Sequence, residues 1–183
     1  MSICDFQNFP EISGAIPMVT GRFYCCPLST NTTTLVVTQD VLYASPLWVR
    51  APVTITAISI EATAGAGNNV RLGIYRDSAG QPGALVIDAG ATVIGIGSNS
   101  IAISTLLAPG LYWLACVLNG GSTVRALANS TGNAIQTLGF TTNTDTILHV
   151  GVSVAFVYAA LPDPFTGGSA LNTGAMPRMM VTL

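Results

Sequence analysis

Few residues of this chain could do chemistry, and their spacing is poor for it. A serine nucleophile needs an imidazole base. The single histidine, His149, lies inside an alternating apolar run, Leu148-His-Val150, where a packed or edge residue is the simpler reading. No Gly-x-Ser-x-Gly elbow is present. A glycosidase needs two carboxylates facing each other across a cleft, whereas the eight acidic residues here are scattered singly, several of them in turn-like stretches. Cys4, Cys25, Cys26 and Cys116 have no Cys-x-x-Cys spacing and stand far from His149, so no metal site is expected. Gly95-Ile-Gly97-Ser-Asn lacks the third glycine and the following helix of a dinucleotide fingerprint. The reading assigns no catalytic residue, no metal and no cofactor.

What remains is the stretch Arg71-Leu-Gly-Ile-Tyr-Arg-Asp-Ser-Ala-Gly-Gln-Pro-Gly83, which holds two of the six basic residues in a chain without lysine. Its chemistry could be an anion cradle, a sugar-binding loop or a tight connection between strands. Val70, Leu72 and Ile74 alternate with Arg71, Gly73 and Tyr75, the pattern of a half-buried strand. Asp77 to Gly83 then supplies turn residues before Ala84-Leu-Val-Ile-Asp88 resumes the β pattern. The segment therefore reads as a strand and its hairpin corner, with Arg71 and Arg76 pairing with nearby carboxylates, Asp77 or Asp88, or with a neighbouring subunit. The aromatic residues Tyr43, Trp48, Tyr75, Tyr112 and Trp113 could hold a sugar, but in alternating strands they read first as core or interface.

The elements around that corner are β throughout. Thr34 to Tyr43 is β-branched and aromatic, Pro46 and Pro52 bracket Leu-Trp-Val-Arg-Ala, and Val53-Thr-Ile-Thr-Ala57 alternates with period two. The apolar face then continues on the other parity through Ile58, Ile60 and Ala62, which predicts a β-bulge at Ala57-Ile58. Further strands are expected at Ser100–Thr105, Gly110–Leu118, Thr123–Ala128, Ile147–Tyr158 and Arg178–Leu183, with a loop at Leu161–Gly168. Gly110–Leu118 is apolar on both parities, so both of its faces should be covered. Short strands at this spacing with glycine-rich turns indicate a single all-β domain, a jelly-roll-like antiparallel sandwich over 34–183. Residues 1–33, punctuated by proline and glycine, read as an extended N-terminal arm. Phe6, Phe9, Ile12 and Ile16 are its docking candidates, and the alternative is an arm packed back on its own domain.

Composition narrows the setting. Hydrophobic residues make up 50% and charged residues 8%, so the surface must be polar but uncharged, which suits crowding in an assembly. A net charge of −2 with no basic cluster argues against nucleic acid. No apolar run approaches the ~20 residues of a membrane helix. The first residues lack the basic start and apolar run of a signal peptide, so the chain is expected to be made and kept in the cytoplasm until it is built into something or released by lysis. Reduced thiols at Cys25 and Cys26 fit that compartment.

The Arg71 to Asp77 run, Gly80-Gln-Pro-Gly-Ala-Leu-Val-Ile-Asp-Ala-Gly90, Leu107-Ala-Pro-Gly-Leu-Tyr-Trp-Leu-Ala115 and Leu42-Tyr-Ala-Ser-Pro-Leu-Trp-Val49 together resemble a β-domain of tailed-bacteriophage structural proteins. The resemblance covers about residues 21–128 and extends to a proline- and glycine-rich tail at Leu161–Met176. It implies a virion location, a homotrimer and no catalytic residues. A short arm on one globular domain resembles the plan of a capsid decoration, or cement, protein whose partner is the major capsid protein. The alternative is a tail-fibre or tail-tip protein, among the tail proteins, that binds a host glycan or receptor through Asn119–Thr123 and Asn129–Asn133. A polysaccharide-degrading enzyme stands third.

Overall fold

The computed structural model describes residues 18–27, 32–128, 138, 149–165, 170–171 and 174–183. The strands in chain order are β1 (Phe23–Tyr24), β2 (Thr32–Val36), β3 (Val41–Val49), β4 (Val53–Ala64), β5 (Asn69–Ser78), β6 (Gln81–Val93) and β7 (Gly97–Leu107). They are followed by β8 (Gly110–Leu118), β9 (Thr123–Leu127), β10 (Val152–Ala155), β11 (Ala170–Leu171), β12 (Met176–Pro177) and β13 (Met179–Thr182). They form an antiparallel β-sandwich. The first sheet has seven strands, with β4 at its centre flanked by β7 on one side and by β13 and β9 on the other. The second has six, in the order β11-β10-β3-β8-β5-β6.

The space between the sheets is filled by the inward row of each strand. Val70, Leu72 and Ile74 of β5 and Leu114, Cys116 and Leu118 of β8 meet Ile55, Ile58 and Ile60 of β4 and Val181 of β13. A second apolar cluster lies on the outward face of the second sheet. There Leu42, Ala44, Tyr75, Trp113, Ala115, Val117 and Val152 are buried under residues 156–165, a strap whose Phe156, Tyr158, Leu161 and Phe165 pack down onto them. β8 is buried on both parities for this reason. The half-buried reading of β5 needs correction: Tyr75, placed on the polar side, is fully buried, donates to the Pro162 carbonyl at 2.9 Å and meets the Phe165 ring edge-on at 5.2 Å. A distant proline-rich loop supplies the cover, and periodicity within β5 carries no trace of it.

Four local readings change as well. Thr34 to Tyr43 is not one strand. Val37 leaves β2, donating to Ser122, and Asp40 turns the chain at φ 58° before β3 begins in the other sheet. Pro46 lies inside β3 opposite Trp113 rather than ending a strand; β10 stops opposite Ala44, and among the described strands only β8 pairs with that stretch. The ladder irregularity expected at Ala57-Ile58 falls between Ile55 and Ala57: Ile55 faces Thr105 and Ala57 faces Ala102, so the extra residue stands on β7. A phase slip in one strand shows that pairing is irregular, not which strand carries the insertion. β10 is also shorter than the run Ile147–Tyr158, since Phe156 and Tyr158 leave the sheet to start the strap.

The strap is the part of the fold most exposed to a single change. Truncating Leu161→Ala should open a cavity above Gly73 and Tyr75 and lower unfolding stability by about 2–5 kcal/mol in urea melts. Gly73→Ala should also destabilise, because a Cβ there would stand 2.7 Å from the Ile87 carbonyl and collide with the Leu161 side chain.

Candidate interaction surface

The corner at Arg71 is built as a clasp. The Arg71 Nε reaches both oxygens of Asp88, at 2.9 and 2.8 Å, and the same carboxylate accepts from the backbone amides of Gly90 at 2.9 Å and of Leu161 at 3.0 Å. Arg71 therefore holds the carboxylate that holds the strap. The turn itself is two residues, Ala79 at φ 54° and Gly80 at φ 81°, the left-handed pair that matches strand twist in a tight hairpin. Asp77 accepts from Gly80 N at 3.1 Å and from the Trp113 indole at 2.9 Å. Those bonds occupy both Asp77 oxygens, and Arg76 is exposed with no ion pair among the described residues. Arg71 thus pairs as expected with a carboxylate, whereas no described carboxylate pairs with Arg76.

The other described aspartates act alike. Asp40 accepts from Tyr158 N at 2.9 Å, and Asp163 from Leu85 N at 2.9 Å. Burial, reinforced by the negative charges of Asp88 and Asp163, pushes the Tyr75 phenol upward, so it stays a donor to Pro162.

Sequence reasoning missed the main charged feature. On the outward face of the first sheet Glu61 sits between Arg125, at 3.0 Å, and Arg178, at 2.7 Å. The break between β12 and β13 places Arg178 there, its amide donating to the Arg125 carbonyl at 2.9 Å. The hydrogen bond from Arg125 holds the Glu61 carboxyl below its ordinary range against a smaller desolvation effect, with Arg178 adding to the lowering. That is the reverse of what a general acid needs. The only signal in the sequence was an outward glutamate between Ser59 and Thr63, and which arginines would neighbour it depends on strand order. Glu61 and Arg178 line a groove of about 390 Å³ with Phe23, Ser59, Ser98 and Met180; Phe23 is 55% exposed. Within the groove Glu61 and Arg178 form a matched ion pair set in a mostly apolar wall, and Arg125 lies outside it.

A second groove, of about 260 Å³, lies between residues 18–27 and the free end of β3, with Met18, Tyr24, Cys25, Leu47, Trp48 and Arg50 in its walls. Burial pushes the Cys25 thiol up against the opposing charge of Arg178, and burial alone pushes Cys116 up to about 12. Cys25, Cys26 and Cys116 are free thiols. Of the candidate ligand-binding aromatics, Tyr43, Tyr75, Tyr112 and Trp113 are buried and Trp48 is 51% exposed. His149 is buried.

Phe6, Phe9, Ile12 and Ile16 lie outside the described residues, as does Asn129–Asn133. The described continuation of the arm segment joins the sandwich: Phe23 and Tyr24 pair with Thr182 and Val181, Met18 and Tyr24 pack on the core, and Cys26 is buried. Asn119–Thr123 is tied to the neighbouring loop, with Asn119 accepting from Asn69 N at 2.7 Å and Ser122 donating to the Gly65 carbonyl at 2.7 Å.

Removing the clasp with Arg71→Ala should cost about 1–3 kcal/mol and speed amide exchange at Leu161, since a partly buried carboxylate loses its charge partner. Glu61 has a lowered folded pKa, so its contribution is complete above the unfolded carboxyl value and is lost as pH falls through the folded one. Thermal melts from pH 6 down to pH 3 should therefore show an acid limb that Glu61→Gln flattens and that 1 M salt weakens, Glu61 and Arg125 being about one-third exposed. No protein-family model matches this chain, and no curated protein matches it.

Proposed function

We propose that this chain is a non-enzymatic structural protein of a tailed-phage virion, made in the host cytoplasm and placed on the capsid surface as a decoration protein. The observation that carries the reading is the outward face of the first sheet. Thr32, Thr34, Thr56, Ser98, Ser100 and Ser104 stand exposed there, and the charge amid them is confined to the Glu61 trio, one carboxylate between two guanidiniums. A hydroxyl surface of this kind stays solvated without the mutual repulsion that keeps charged copies apart, as a crowded lattice requires. The motif resemblance supplies the phage setting. The described carboxylates add support, since each is spent fastening the domain's own segments rather than facing another acid across a cleft. In this reading Phe6, Phe9, Ile12 and Ile16 bury their side chains on capsid subunits, and burial of each is worth about 1.5–3 kcal/mol.

The groove at Phe23 favours one second reading. A half-exposed ring beside serine hydroxyls and an arginine can stack on a sugar and bond its substituents, as a tail protein binding a host glycan would require.

Undecorated capsids incubated with the purified protein should take it up at a copy number comparable to the capsid subunits, and serine at Phe6, Phe9, Ile12 and Ile16 together should abolish uptake with the melting transition unchanged. A handful of copies per virion, with host-cell binding lost on Phe23→Ala, would move the protein to the tail.

A further inference from the structure

β7 is an edge strand: β4 pairs with one side of it, and no described strand pairs with the other. Edges of this kind are normally guarded by charge, proline, bulges or brevity, because unpaired amides and carbonyls template pairing with another chain. The neighbouring edge, β6, is guarded by Pro82, the Arg71–Asp88 pair and three register shifts against β5. β7 is 11 residues long, without charge or proline, and has one register shift, opposite Thr56.

The residues around Ala102 read alike in both directions. Ile101 mirrors Ile103, Ser100 mirrors Ser104, and Asn99 mirrors Thr105. An antiparallel copy centred on Ala102 would set isoleucine against isoleucine and serine against serine. Directly opposed residues share a face, so the exposed serine row would stay outward and the half-buried isoleucine row would continue the core. A strand that meets itself antiparallel does so about a two-fold axis, which makes the contact isologous. At ~3.3 Å per residue β7 spans roughly 36 Å. A flank two sheets deep, roughly 20 Å with side chains, gives about 700 Å² per partner, close to the ~800 Å² of a stable interface. Val93, Ile96 and Leu106, exposed by 61%, 65% and 71%, supply apolar contacts at the two ends of this flank.

We propose that β7 is a self-association edge, on which a second copy of this chain pairs antiparallel about Ala102 and joins the two first sheets into one. The proposal does not depend on the virion assignment: a dimer that never binds capsids leaves it standing.

The test places a cysteine on the axis of the full-length protein. Directly opposed residues have Cα atoms ~4.5–5.5 Å apart, within disulfide reach. Under mild oxidation Ala102→Cys should become mostly covalent dimer, whereas Ser98→Cys, whose own copy would lie roughly 27 Å away along the strand, should cross-link no more than wild type. Native mass spectrometry of the wild type should give two chains or a multiple of two. Ala102→Arg, which sets like charges face to face, should give a folded chain with at least a tenfold weaker association. Equal cross-linking of Ala102→Cys and Ser98→Cys would overturn the proposal. A mass of three chains unaffected by Ala102→Arg would do the same, and would return the trimer implied by the resemblance.

Discussion

The fold depends on covering the outward face of the second sheet. Its strands carry apolar side chains on both parities, so a bare sandwich would leave the Trp113 and Tyr75 rings in water, each of them about 150–250 Å² and worth roughly 4–6 kcal/mol when buried. The strap at 156–165 supplies the cover without a strand of its own. It lies down because aspartates along its course receive its amides at Tyr158 and Leu161, and because its own Asp163 and Phe165 bond back to Leu85 and Gly83. Irregular backbone over an apolar surface is tolerable only when its polar groups are met in this way.

This use of the aspartates accounts for much of the chain's odd composition. A protein that keeps so few charges could have spread them over the surface for solubility. Here they serve as acceptors: Asp88 meets a guanidinium and two amides, and Asp77 meets an indole and a turn. Solvation of the remaining surface then falls to serine and threonine on the first sheet. The two outward faces are accordingly opposite in kind. One is apolar and strapped, and the other is hydroxyl-lined and open, with Glu61 and its two arginines as its charged centre.

Much of this was legible along single strands and little of it between them. The alternation in 70–76, the doubly apolar run at 110–118, the turn residues after Asp77 and the phase slip near Ala57 each report a local fact, and each corresponds to a feature of the fold. Tyr75 misleads because what covers it is Leu161 to Phe165, almost ninety residues away in sequence and free of periodicity. The Glu61 trio was unreadable for the same reason: strand order, not spacing, brings β9 and the end of β12 beside β4. Pro46 shows the limit of a local rule, since proline costs a ladder bond only where its nitrogen would face a paired strand.

The absence of lysine has a further structural cost. Lysine is the commonest guard of a sheet edge, because extending a ladder past it would bury its charge. Without it a chain must rely on brevity, proline or bulges. Among the described strands β1 and β11 are edges of two residues each and β2 is an edge of five, all short templates, and β6 is broken by its register shifts and its proline. That leaves β7, the long edge with the fewest guards. An uncharged surface and an open edge are hazards for a free monomer and assets for a subunit, since the features that fail to keep copies apart are the ones that let them pack. The composition and the strand order therefore meet at one physical point: neither surface charge nor a guarded β7 edge keeps copies of this sandwich apart.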